Sequence, residues 1–153
     1  MNIKIEGPLL DQSSTCVPIL RLLPEWFGIE AVILDYERDI GHLPTFLAKE
    51  AGSLLGFLSL KQHYPFSAEI YVMAVRPEAH HCGIGRALVA AAETHARGLG
   101  VEYMQVKTLG PSRPDDGFAR TRAFYEAMGY RPLEEFKQIW DENNPCLVLV
   151  KRL

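Results

Sequence analysis

Residues 69–88, Glu-Ile-Tyr-Val-Met-Ala-Val-Arg-Pro-Glu-Ala-His-His-Cys-Gly-Ile-Gly-Arg-Ala-Leu, constrain the fold of this chain more than any other stretch. Glu69 to Val75 is a run of apolar and β-branched residues that reads as a strand. Gly83 and Gly85 then open an alanine-rich segment in which Ala87, Leu88, Ala91 and Ala92, with His95 and Leu99, recur at helical spacing. Gly98 and Gly100 end that helix. Glycine lets a backbone come close to a ligand. The unpaired N–H groups of a helix start favour an anion. Strand, glycine pair and helix together make a candidate pyrophosphate site.

The remaining residues supply a sheet for this unit. Asn2 to Glu6 alternates and reads as a first strand. Residues 12–38 read as two short helices broken near Pro24 and Gly28, with Ile29, Val32, Ile33 and Tyr36 on one stripe. Thr45 to Lys49 is a short strand, and Gly52-Ser53 turns into the strand Leu54 to Leu60. Pro65 and Ser67 punctuate before Glu69. Beyond the alanine-rich helix come a strand over Val101 to Thr108, a loop over Pro111 to Gly117, a helix over Phe118 to Met128 stopped at Gly129, and strands over 131–138 and 146–151. This order predicts an α/β domain with a mixed sheet. No repeat or linker divides it, so residues 1–153 read as one domain.

Composition narrows the function. Hydrophobic residues make up 48% and charged residues 23%, as in an ordinary globular protein. The net charge of −3 argues against a nucleic-acid binder that relies on a basic surface. No apolar run approaches the ~20 residues that cross a bilayer, and Met1 to Glu6 lacks the apolar core of a secretory signal. Cys16, Cys82 and Cys146 are odd in number and widely spaced, which does not suit a disulfide framework. A cytoplasmic protein is expected, with neither membrane nor nucleic acid as partner. His80, His81 and Cys82 are consecutive, and no spacing matches Cys-x-x-Cys or His-Glu-x-x-His, so no metal site is expected.

The phosphate site belongs to none of the commonest nucleotide motifs. A P-loop needs Gly-x-x-x-x-Gly-Lys-Ser/Thr, which is not found. Gly83-Ile-Gly85 offers Gly-x-Gly to a Rossmann reading, but residue 88 is leucine, and Arg76 to Cys82 separate the strand from the first glycine. His80-His-Cys-Gly-Ile-Gly85 instead resembles the acetyl-CoA loop of the GNAT N-acetyltransferase superfamily: Arg or Gln, two residues, Gly, any residue, then Gly or Ala. Ala123-Phe-Tyr-Glu-Ala-Met-Gly-Tyr130 resembles that family's second landmark, a tyrosine-bearing helix leading to a Gly-Phe/Tyr turn. The resemblance covers about residues 45 to 150. His80 departs from the usual Arg or Gln, and Phe118 stands where the family often has asparagine.

The resemblance implies a mostly antiparallel mixed sheet whose two central parallel strands, here 69–75 and 102–108, splay apart. Acetyl-CoA is the implied acyl donor, with no metal. Its pantetheine arm pairs with backbone groups of Met73 and Val75, and the Val75 or Ala74 N–H polarises the thioester carbonyl. Backbone N–H groups of His81, Cys82, Gly83, Ile84, Gly85, Arg86 and Ala87 hold the pyrophosphate. The Arg86 side chain adds charge, and with His80 in place of the usual arginine or glutamine one contact is either lost or supplied by the imidazole. Tyr125 is the implied general acid, since a phenol of pKa about 10 donates to a departing thiolate yet stays protonated at neutral pH. Glu69 matches the base glutamate of the family's histone-acetylating branch, with Tyr71 binding substrate or relaying a proton through water. His63, Tyr64 and Phe66 line the acceptor entrance, and Trp26, Phe27 and Tyr36 lie in the segment that covers the acceptor.

The implied activity is acetyl transfer to a primary amine, most readily of a small molecule. Glu25, Glu30, Asp35, Glu37 and Asp39 suggest a cationic acceptor. The alternatives are transfer to a protein or peptide amine, or an acyl-CoA-binding regulatory domain that transfers nothing. Possession of both Glu69 and Tyr125 favours the enzyme. Small members of the family are often homodimers, and Cys146 to Val150 is the edge expected to pair.

Overall fold

The computed structural model describes residues 2–153. In chain order the elements are β1 (Lys4–Leu9), α1 (Ser13–Arg21), α2 (Glu30–Ile40), β2 (Thr45–Glu50), β3 (Ser53–Tyr64), β4 (Ser67–Val75), α3 (Ile84–Gly98), β5 (Tyr103–Leu109), α4 (Asp116–Ala127), β6 (Arg131–Asp141) and β7 (Asn144–Arg152). The strands form one sheet in the order β1-β2-β3-β4-β5-β7-β6. Within it β4 and β5 run parallel, while their other neighbours pair antiparallel. This is the expected α/β class.

Both faces of the sheet are covered. Leu88, Val89, Ala92 and Ala96 of α3 pack on Leu58, Leu60, Ile70, Met104 and Val106, joined by Tyr125 and Tyr130 from α4 and its following turn. On the opposite face Cys16, Ile19, Leu20 and Ile40 of α1 and α2 meet Leu47, Phe57, Val72 and Ala74. Strands covered on both faces read as unbroken apolar runs, which explains residues 54–60 and 70–75.

The parallel pair comes apart at its far end. It runs from Ser67 opposite Tyr103 to Ile70 opposite Val106 and stops, although β4 continues to Val75 and β5 to Leu109. The break coincides with a β-bulge. Leu60 faces Ile70 and the adjacent Ser59 faces Val72, so Tyr71 is an extra residue on β4. A bulge bends its strand and sharpens the local twist. On its other side β5 stays paired with β7 down to Leu109 opposite Cys146. A gap therefore opens between the ends of β4 and β5, as the resemblance implied.

Three expectations change. Ile29 precedes α2 and is 62% exposed, and Val32 is 38% exposed; Ile33 and Ile40 are the side chains α2 buries. Helix α4 begins at Asp116, ahead of Phe118, because Asp115 caps it: its Oδ1 accepts the Phe118 N–H at 3.0 Å. The segment Cys146 to Val150 is no edge, since β7 lies between β5 and β6.

Candidate active site

Strand register decides which backbone groups face the gap. The Arg76 N–H donates to the Leu55 carbonyl at 2.8 Å, and Val75 stands opposite Gly56. Ladder hydrogen bonds alternate along an antiparallel pair. Arg76 and Ala74 therefore turn their polar groups to β3, whereas Met73 and Val75 turn theirs toward the gap. That corrects the expectation for Ala74, whose N–H belongs to the ladder. The Val75 carbonyl already accepts the His80 Nε2–H at 2.8 Å. The His80 ring thus closes the loop back onto its own strand.

Beyond β4 the chain makes a 3₁₀ turn, Pro77–Ala79, before α3. His81 (φ 62°) and Gly83 (φ 82°) both adopt left-handed conformations. Such turns bring successive N–H groups into one concavity suited to anions. Gly83 is the N-cap of α3 and supplies no side chain to its first turn, so those N–H groups stay available. A Cβ at Gly83 would meet no atom within 4 Å, whereas one at Gly85 would lie 3.2 Å from the Phe124 ring. Gly83 is needed for its backbone conformation, and Gly85 to seat α4 against the start of α3. His81, Cys82 and Arg86 are exposed, Ala87 is half-buried, and the Ile84 side chain is in the core.

Tyr125 sits in the cluster that Met73 and Val75 border, its ring edge-on to Phe124 and Tyr130. Burial pushes its phenol above the usual value of 10, which keeps the proton on the oxygen. Glu69 is buried too, on the opposite sheet face. Its Oε1 lies 2.7 Å from His63 Nε2, and Lys107 Nζ lies 3.2 and 3.4 Å from its two oxygens. The structure does not bring Glu69 and Tyr125 to one face: Glu69 stands opposite Gln105 in the paired stretch, just before the gap, and Tyr125 packs on the α3 side of the sheet.

Residues 19–130 match the acetyltransferase (GNAT) family. The chain belongs to that family. Over 148 residues it is 30% identical to an uncharacterised N-acetyltransferase of Chlorobaculum tepidum, covering 88% of each. A mycothiol acetyltransferase of Thermobispora bispora is 32% identical over 91 residues, which are 56% of this chain and 29% of that protein. The chain spans less than a third of the length of the mycothiol acetyltransferases it matches. PaiA N-acetyltransferase of Thermoplasma acidophilum, solved in complex with coenzyme A, shares the fold at a TM-score of 0.77 and 19% identity, with 100% of both chains covered.

In this GNAT domain the α1–α2 face carries further polar and aromatic groups. The Tyr71 hydroxyl donates to Asp39, while Phe27, Tyr36 and Tyr71 stack edge to face in sequence. Trp26 packs against the same face but stands outside this stack. Its Nε1–H donates to Thr121 Oγ1 at 3.2 Å, and its ring abuts His80 and Phe118, joining the α1–α2 connection to the β4–α3 loop and α4. Of the acidic residues expected to attract a cationic acceptor, Glu30 pairs with Arg21, and Asp35 and Asp39 pair with Arg38. That leaves Glu25 and Glu37, so the attraction is weak. Lys107 escaped sequence reading, although the alternation Gln105, Lys107 against Met104, Val106 marks a polar face of β5.

Proposed function

We propose that this GNAT domain, acting as one unit over residues 1–153, transfers the acetyl group of acetyl-CoA to a primary amine of a small molecule. The observation that carries the reading is the stretch of β4 that has parted from β5, where Met73 and Val75 face the gap, together with the uncapped start of α3. An extended pantetheine arm can add to β4 as a strand, with the pyrophosphate on the N–H groups that follow His81. The Val75 N–H then polarises the thioester carbonyl where charge develops. The amine attacks that carbon, the C–S bond breaks, and Tyr125 supplies a proton to the departing thiolate. The group around Glu69 takes the proton that the ammonium form of the acceptor must lose. The kinship with mycothiol acetyltransferases favours a small-molecule acceptor over a peptide. Three free cysteines, Cys16, Cys82 and Cys146, favour a cytoplasmic setting.

The test is thiol release from acetyl-CoA against polyamines, aminoglycosides, amino sugars, amino acids and basic peptides, with calorimetric titration of acetyl-CoA alongside. Release with one small-molecule class is the expected result. Release with peptides alone would move the acceptor to a protein. Tight binding with no release from any amine would overturn transfer in favour of acyl-CoA sensing.

A further inference from the structure

Two β-bulges bracket Glu69. Besides Tyr71 on β4, the β3–β4 hairpin holds an extra residue on β3. Gln62 faces Ala68 and Tyr64 faces Ser67, so His63 has no partner across the ladder. A bulge re-aims the side chain it carries, and here it brings His63 Nε2 to 2.7 Å from Glu69 Oε1. The Glu69 side chain is only 6% exposed and is engaged by both His63 and the Lys107 ammonium. An amine arriving at Glu69 would have to displace one of them. The His63 side chain retains 27% exposure. An ionised carboxylate only accepts hydrogen bonds, so the ring nitrogen facing it must donate, and the neutral ring carries its lone pair on Nδ1.

We infer that His63 is the general base of this acetyltransferase and that Glu69 is its positioning residue, the pair being assembled by the bulge at His63. The inference rests on the proposed transfer to an amine. His63 Nδ1 takes a proton from the acceptor ammonium, giving a neutral amine and an imidazolium held against the Glu69 carboxylate. The amine nitrogen bonds to the thioester carbon and the C–S bond breaks. Tyr125 protonates the thiolate and regains a proton from the adduct nitrogen, while His63 returns its own to solvent. The products are an amide, a thiol and one released proton. Lys107 on β5 donates to both oxygens of Glu69 and so helps to fix the carboxylate against His63. The other titratable groups around the pair are Lys61 opposite Glu69 on β3, Tyr71 on β4, Tyr36 and Asp39 on α2, and Cys146 on β7.

The experiment joins kinetics to spectroscopy on the whole chain. His63→Gln keeps an N–H donor for Glu69 and removes the base. With the best amine acceptor, turnover should fall roughly 100-fold or more, and the acid limb of the kcat/KM profile should flatten. The KM for acetyl-CoA should stay unchanged. Nitrogen-15 spectra of the wild-type protein should show neutral His63 as the Nε2–H tautomer. A His63→Gln enzyme with the wild-type rate and acid limb overturns the pair, as does an Nδ1–H tautomer in the wild type. Wild-type protein that binds acetyl-CoA but releases no thiol with any amine overturns the transfer reading, and the base with it. Release indifferent to His63 overturns the base alone.

Discussion

Gly83 and Gly85 stand two residues apart in one motif and serve different ends. Gly83 holds a left-handed turn with open space above it, so Gly83→Asp should cost only about 1 kcal/mol of backbone strain. The same change sets a negative charge at the candidate pyrophosphate site. Calorimetry should find acetyl-CoA binding abolished in a protein that still unfolds cooperatively; retained binding would place the pyrophosphate elsewhere. Tyr125→Phe makes the complementary case. It removes only a hydroxyl, so turnover should drop by 10-fold or more while acetyl-CoA affinity holds. Unchanged turnover would leave Tyr125 a packing residue. The glycines were legible in the sequence because they open a helix just after a strand, and Tyr125 because Ala123 to Tyr130 resembles the second GNAT landmark. The split between Ala74 and its neighbours was not, because it depends on how β4 registers with β3. The His63–Glu69 contact was hidden for the same reason: a bulge leaves no mark in the spacing of apolar residues.

Among the elements, α3 is fastened at its far end by a polar knot. Glu93 is buried on α3 and accepts the Tyr130 hydroxyl at 2.9 Å and Lys151 Nζ at 2.9 and 3.1 Å. Lys151 donates in addition to the Met128 carbonyl at 2.9 Å, so α3, the turn after α4 and β7 meet at one carboxylate. Removing one partner from such a pair strands the other charge. Glu93→Ala should therefore lower unfolding free energy by about 3 kcal/mol in urea titrations. A loss below about 1 kcal/mol would mean that Lys151 reaches water once Glu93 is gone. Helices and strands were legible in outline because periodicity is local. The placing of β7 between β5 and β6 was not, since strand order is a property of the packed sheet. Glu93 itself reads as one more solvated acid on an alanine-rich helix, and only the arrival of β7 from far along the chain buries it.

The folded molecule as a whole holds several protons more tightly than the unfolded chain. Burial lifts the Cys16 thiol from 9.0 to about 12 and that of Cys146 to about 11, and it pushes Tyr125 and Tyr130 above the usual phenol value. Each raised value contributes stability that is fully present below the unfolded pKa and is lost as pH climbs toward the folded one. Between about pH 9 and 11 the unfolded chain binds fewer protons, so stability must fall as pH rises. Thermal melts from pH 8 to 11 should show a steadily falling Tm; a flat profile would contradict the burial of both thiols. The Trp26 contacts matter at this scale too. One of only two tryptophans in the chain spans the junction of the α1–α2 connection, the β4–α3 loop and α4, while the other, Trp140, lies exposed on β6. The protein thus carries an unlabelled optical probe at the seam between its helical cover and the glycine-bearing β4–α3 loop: any parting of the two changes the polarity around the Trp26 indole and its distance from the His80 imidazole, and so its emission colour and lifetime.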